Sequence, residues 1–215
     1  MIRNVLFDLD GTLVDSKKGI FLSIKYALDK MGIETPPEKE LMPFLGPPLV
    51  YSFEHFIGMS QEDAIRATAL YREFYKPEGM FEFSLYPGVE TMLKKLTHSG
   101  KRLYLATSKP EVYAIEILKK AGIDQYFTAV CGALLPSGRD DKVEIITHLL
   151  TTQSLSLEDT VMVGDRFYDI EGAHKVGMAA IGVTYGFGSE KELNRAGADA
   201  IAQGCKDLTS IIMTV

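Results

Sequence analysis

The chain has 215 residues, 46% of them hydrophobic and 24% charged, a composition that supports a sizeable core in one large domain or one domain with a smaller insert. Its 23 basic and 29 acidic residues give a net charge of −6, and no run of Lys or Arg exceeds two, which argues against nucleic acid or an acidic membrane surface as a partner. Cys131 and Cys205 form no C-x-x-C pair, the N-terminus "MIRNVLFDLD" is too short an apolar run for a signal peptide, and no stretch is long enough to span a membrane, so a reducing, cytoplasmic setting is expected.

The first apolar run, "NVLFD", reads as a buried strand and leads into "FDLDGTLVDS", where two aspartates stand one residue apart. From about Ser16 to Ser84 the pattern is helical without a convincing strand. "GIFLSIKYALDKMG" carries Ile20, Ile24, Ala27, Leu28 and Met31 at helical spacing and stops at Gly32, and "QEDAIRATALYREFY" follows Ser60 as an N-cap. Between these two helices, five of the nine prolines fall from Pro36 to Pro48, and ten of the 21 Phe and Tyr residues lie between Phe44 and Tyr86. The aromatics fit the core of a small domain.

Beyond "YPGV" the rhythm becomes strand, helix, strand. "GVETMLKKLTHSG" places Val89, Met92, Leu93 and Leu96 on one face, closed by Gly100. "RLYLAT" is the next strand, and "EVYAIEILKKAG" is a helix with Val112, Ile115 and Leu118 as its apolar positions, ending at Gly122. "TAVCG", with Cys131 read as a buried inert thiol, then "TVMVGD" and "AAIGVT" complete the strands. Alternation of this kind predicts an α/β fold: a doubly wound, Rossmann-like parallel sheet of residues 1–15 and 85–215, with an all-helical cap domain of residues 16–84 inserted after the first strand.

Ligands of open α/β sheets bind beyond the carboxyl ends of the strands. Three such ends carry reactive groups: Asp8 and Asp10 after the first, Thr107 and Ser108 after "RLYLAT", and Asp165 with Asp169 after "TVMVGD". Each acidic pair alone suits a turn or a helix N-terminus, where a carboxylate offsets the dipole. Gathered on one edge they repel, by about 4 kcal/mol for two charges 4 Å apart at an effective dielectric near 20. A divalent cation relieves that repulsion, and hard oxygen ligands select Mg²⁺.

"FDLDGTLVDS", "LATSK", a later isolated Lys and "VGDRFYD", in that order over essentially the whole chain, resemble the haloacid dehalogenase superfamily, in particular its phosphatases with a helical cap and, among these, the phosphoglycolate phosphatase group. The resemblance implies that Asp8 is the nucleophile, forming an aspartyl phosphate, and that Asp10 is the general acid and base, a role that needs a proton held at working pH. It implies Mg²⁺ held by the Asp8 carboxylate, the Asp10 backbone carbonyl, Asp165 and Asp169, and a phosphoryl group held by Thr107, Ser108 and a lysine. Backbone N–H groups near Leu9, Asp10 and Ser108 would complete that cradle. Lys142, in "SGRDDKVEIITHLL", is the chosen lysine, although Val143 stands where the commoner pattern has Pro; Lys109 is its rival. Dehalogenases lack the second Asp, so dehalogenation is disfavoured.

The cap is expected to control water and supply substrate contacts, closing on hinges at Val14–Lys18 and Phe83–Gly88 with "FLGPPL", Phe44 to Leu49, as specificity loop. The partner is then a small phosphorylated metabolite, with no nucleic acid and no membrane, and the protein a monomer or homodimer. A 5′-nucleotidase, a sugar phosphomutase of β-phosphoglucomutase type and a non-enzymatic phosphometabolite sensor are the alternatives. His55, His98, His148 and His174 lack metal-binding spacing, and Gly182, Gly186 and Gly188 read as turn glycines rather than a dinucleotide loop. Arg139 and Arg166 match no core motif.

Overall fold

The computed structural model describes residues 1–135, 138–139 and 141–214. The chain separates into two compact units, Met1–Asp15 with Leu85–Val215, and Ser16–Ser84.

The larger unit is built on six parallel strands: β1 (Asn4–Phe7), β2 (Arg102–Pro110), β3 (Phe127–Ala133), β4 (Thr160–Gly164), β5 (Ala179–Val183) and β6 (Ala200–Ala202). Their order in the sheet is β3-β2-β1-β4-β5-β6. Five of these strands are the apolar runs of the sequence. The sixth, Ala200–Ala202, was not expected: three residues at a sheet edge are too few to show a period. Strand order reverses around β1, so the crevice beyond the ends of β1 and β4 is the switch point of the sheet. Register places Phe7 level with Leu105 of β2 and Val163 of β4, which brings Asp8, Thr107 and Asp165 to one edge.

The smaller unit holds α1 (Lys17–Met31), α2 (Glu38–Leu41), α3 (Leu49–Ser52) and α4 (Gln61–Tyr75). Helix α1 ends at Gly32 in the left-handed conformation, and Ser60 caps α4 by accepting the Asp63 N–H at 3.2 Å. Gly19 of α1 lies so close to Gly79 that a Cβ there would stand 1.9 Å from the Gly79 carbonyl oxygen. Four of the aromatics, Phe44, Phe53, Tyr71 and Tyr75, are buried in the core of this unit, Phe44 meeting Phe53 edge to face at 5.2 Å, whereas Tyr51, Phe56 and Phe81 are exposed and half-buried Tyr26 stacks on Phe74 at 5.3 Å.

The other helices of the sheet unit are α5 (Val89–His98), α6 (Glu111–Ala121), α7 (Lys142–Thr152), α8 (Phe167–Lys175), α9 (Glu190–Ala196) and α10 (Cys205–Thr214). Helix α5 buries Val89, Met92, Leu93 and Leu96, the face its spacing predicted. Helix α6 follows its prediction only in part, at Leu118. It buries Ala114, Ile117 and Leu118, and Val112 is 59% exposed. Its contact face is centred on small Ala114, which a count of large apolar residues passes over. One face of the sheet packs Leu6, Tyr104 and Met162 against Ile145, Ile146 and Leu149 of α7 and Ile170 and Ala173 of α8, with Cys131 buried among them. Burial pushes the Cys131 thiol up to about 11, so the inert reading of that cysteine holds. All four histidines are exposed. No helix among the described residues is long and apolar enough to cross a membrane.

Candidate active site

Asp8 is the first residue beyond β1, and its N–H donates to Val163 O at 2.9 Å, which fixes it against β4. After Asp10 the chain turns back on Gly11, whose φ of +83° suits glycine. A Cβ on Gly11 would also stand 2.2 Å from Asp165 Oδ2, so no larger residue lets Asp165 reach the site. Asp165 follows β4, and Asp169 lies in the first turn of α8, where its Oδ2 accepts the Arg166 N–H at 3.1 Å. Here the helix dipole favours a carboxylate. Gly164 makes room for it: a Cβ there would lie 2.1 Å from Asp169 Cγ.

Carboxylate oxygens of Asp8, Asp165 and Asp169, all three buried, lie within 4.8 Å of one another. Lys142 enters among them. Asp141 caps α7 by accepting the Val143 N–H at 2.7 Å, and Lys142, the first helical residue, donates to Asp8 Oδ1 at 3.0 Å and to Ala106 O at 2.8 Å, with Asp169 Oδ1 at 2.7 Å. Its stem passes Gly172, where a Cβ would sit 2.8 Å from Lys142 Cγ.

One buried ammonium does not balance three buried carboxylates. Burial, reinforced by the Asp169 and Asp10 charges and opposed by Lys142, pushes Asp8 up to about 6. Burial, then Asp169 and Asp8, push Asp165 well above the usual carboxylate range. Lys142 stays charged: burial disfavours its ammonium, but Asp169 and Asp8 outweigh that and raise it. Three converging carboxylate oxygens with excess negative charge could hold a hard divalent cation.

Asp10 stands apart from the trio. Its Oδ2 accepts from Lys109 Nζ at 2.6 Å, and the Lys109 side chain is 7% exposed. The two lysines that the sequence set against each other therefore both occupy the site, one on each Asp of the first motif. Thr107 is buried, with its Oγ1 accepting the Lys109 N–H at 3.2 Å, and Ser108 beside it is exposed.

Two features were not legible in the sequence. Thr12 is buried, and its hydroxyl lies 3.5 Å from Asp165 Oδ1. The loop "YGFG", read as turn chemistry, is a cradle for Asp165: the Phe187 N–H donates to Asp165 Oδ2 at 2.7 Å, and a Cβ on Gly188 would fall 1.9 Å from Asp165 O. The spacing G-x-G was the visible signal, but only the fold brings it to Asp165. Arg139 and Arg166 are engaged elsewhere, with Glu111 at 2.9 Å and Glu192 at 2.8 Å.

Residues 5–183 match the haloacid dehalogenase-like hydrolase family. A 5′-nucleotidase of Pseudomonas aeruginosa is 41% identical over 208 residues, covering 97% of this chain and 93% of that protein. A phosphoglycolate phosphatase of Vibrio parahaemolyticus is 27% identical over 220 residues, covering 98% and 96%. The crystal structure of a predicted phosphatase from Clostridium acetobutylicum superposes with a TM-score of 0.94 at 40% identity, covering 100% of both chains. The acidic sheet edge and the match over most of the sequence agree, and the chain belongs to the haloacid dehalogenase-like hydrolases.

Proposed function

We propose that this phosphoric monoester hydrolase is Mg²⁺-dependent, works through an aspartyl phosphate on Asp8 and prefers nucleoside 5′-monophosphates. The observation that carries the chemistry is the convergence of Asp8, Asp165 and Asp169 with Lys142 among them. The substrate rests on likeness: the 5′-nucleotidase shares 41% of aligned residues, against 27% for the phosphoglycolate phosphatase. That reverses the order in which the sequence alone ranks the two.

In this reading Asp8, Asp165, Asp169 and the Asp10 backbone carbonyl hold Mg²⁺. The bound cation supplies charge neutralisation between the nucleophile and the phosphoryl oxygens. An Asp8 carboxylate oxygen attacks phosphorus as the bond to the leaving oxygen breaks, and Asp10 gives its proton to that oxygen. Asp10, now a carboxylate, takes a proton from the water that attacks phosphorus, the Asp8–phosphorus bond breaks, and inorganic phosphate leaves. Thr107, Ser108 and Lys142 bind the phosphoryl oxygens, with Lys142 also balancing the charge on Asp8. We assign the unit Ser16–Ser84 the part of a cap that excludes water during the first transfer, with Phe44–Leu49 as its specificity loop.

Phosphate release with Mg²⁺ across nucleoside monophosphates, phosphoglycolate and sugar phosphates tests both halves. Turnover of nucleotides well above the rest supports the reading. Preference for phosphoglycolate overturns the substrate, and isomerisation of a sugar phosphate on adding a sugar bisphosphate, with little phosphate released, points to a mutase instead.

A further inference from the structure

Asp10 presents two different oxygens. Oδ2 is taken by Lys109 at 2.6 Å, whereas Oδ1 is buried and has no hydrogen-bond partner among the described residues. Buried carboxylate oxygens are ordinarily satisfied, and an exception calls for a reason.

The lysine on the other oxygen is built in. Pairing of β2 with β3 shifts register between Ala106 and Pro110, an irregularity of the kind that re-aims side chains next to active sites. Within it the Lys109 N–H is held by Thr107 Oγ1 at 3.2 Å. Gly132 of β3 admits the turn, since a Cβ there would lie 2.6 Å from Lys109 O and 2.7 Å from the Glu111 N and Cα. Glu111 in turn accepts the Gly132 N–H at 3.1 Å and is gripped by Arg139. Lys109 is thus fixed from its own backbone outward, and its side chain, 7% exposed, ends on Asp10.

We infer that Lys109 is a positioning residue for Asp10: it clamps Oδ2 and so reserves Oδ1 for proton exchange with the leaving oxygen and then with water. This rests on the reading of Asp10 as general acid and base. Lys142 and Lys109 then divide the work, the first serving Asp8 and the second Asp10. A lysine that bound the phosphoryl group instead would help all substrates alike. One that orients the proton donor helps in proportion to how badly the leaving oxygen needs a proton.

The test compares kcat/KM for a nucleoside 5′-monophosphate, whose alkoxide is a poor leaving group, with that for 4-nitrophenyl phosphate, whose phenolate leaves readily. Lys109→Met is expected to lose about 10²-fold on the nucleotide and less than about fivefold on the nitrophenyl ester, general acid catalysis being worth 10²–10⁴. Lys109→Arg, which keeps a donor for Oδ2, is expected to recover most of the nucleotide rate, and Asp10→Asn should show the same ordering of the two substrates. Thermal melting with and without Mg²⁺ shows that each variant is folded and keeps its cation response. If Asp10→Asn discriminates between the substrates and Lys109→Met loses both equally, or neither, the inference is overturned while the general acid stands. If Asp10→Asn itself does not discriminate, the general-acid reading falls and the inference with it.

Discussion

Lys142 and Asp8 are separated by 134 residues in sequence, yet Nζ and Oδ1 lie 3.0 Å apart, both side chains buried. That contact ties the start of α7 to the end of β1 and places a positive charge among the carboxylate trio. Breaking a buried pair by removing one partner is costly, by about 3–5 kcal/mol. Lys142→Met should therefore lower the midpoint of urea unfolding in metal-free protein, and lower kcat on every substrate by about 10²-fold, whatever the leaving group. Retained kcat would remove Lys142 from the site.

Cation binding should show as stability. Excess negative charge among Asp8, Asp165 and Asp169 is relieved only in the folded state, so Mg²⁺ stabilises by mass action, by about 2.7 kcal/mol at a hundredfold excess over its Kd. Thermal melting with and without Mg²⁺ measures this. Asp165→Asn should lose most of the response, and so should Gly164→Ala, whose Cβ would stand 2.1 Å from Asp169 Cγ and displace that carboxylate without touching its charge.

The Asp8 shift gives a pH signature. Its carboxyl is raised from 3.8 to about 6 in the fold, by burial first and then by Asp169 and Asp10. The folded protein then binds more protons than the unfolded chain between those values, so this group's contribution to stability falls as pH rises through that window. Melts in EDTA from pH 4 to 7 should show wild type losing stability relative to Asp8→Asn, and Mg²⁺ should flatten the difference. Parallel curves would contradict the shift.

In the helical unit the close approach of α1 to Gly79 sets a separate prediction. Gly19→Ala puts a methyl 1.9 Å from a carbonyl oxygen, which cannot swing away as a side-chain tip can. Overpacking of that kind costs about 1–3 kcal/mol, visible as a lowered unfolding midpoint with Mg²⁺ binding retained. Loss of the Mg²⁺ response instead would mean that the substitution reaches the acidic site.

What the sequence reveals follows the range of the interactions involved. The face of α5, the Ser60 cap and the strand leading to Asp8 depend on residues a few positions apart, and all three are where periodicity and capping chemistry put them. The acidic edge was legible because carboxylates after apolar strands are costly wherever they gather. The α6 face was misjudged because packing selected Ala114 over Val112, a choice made by the neighbours of the helix. The Asp165 cradle at Phe187 and the Lys109–Asp10 pair join segments 22 and 99 residues apart, and no local pattern encodes such contacts.

In the proposed reaction Asp8 carries the phosphoryl group. Phosphate release from a nucleoside monophosphate with Mg²⁺, in wild type and Asp8→Asn, tests it most directly when paired with acid quench and mass measurement of the peptide bearing Asp8. A phosphate mass on that peptide is expected during wild-type turnover, with a loss of at least about 10³-fold in the variant. Equal release by both proteins, with no mass added at Asp8, would contradict it.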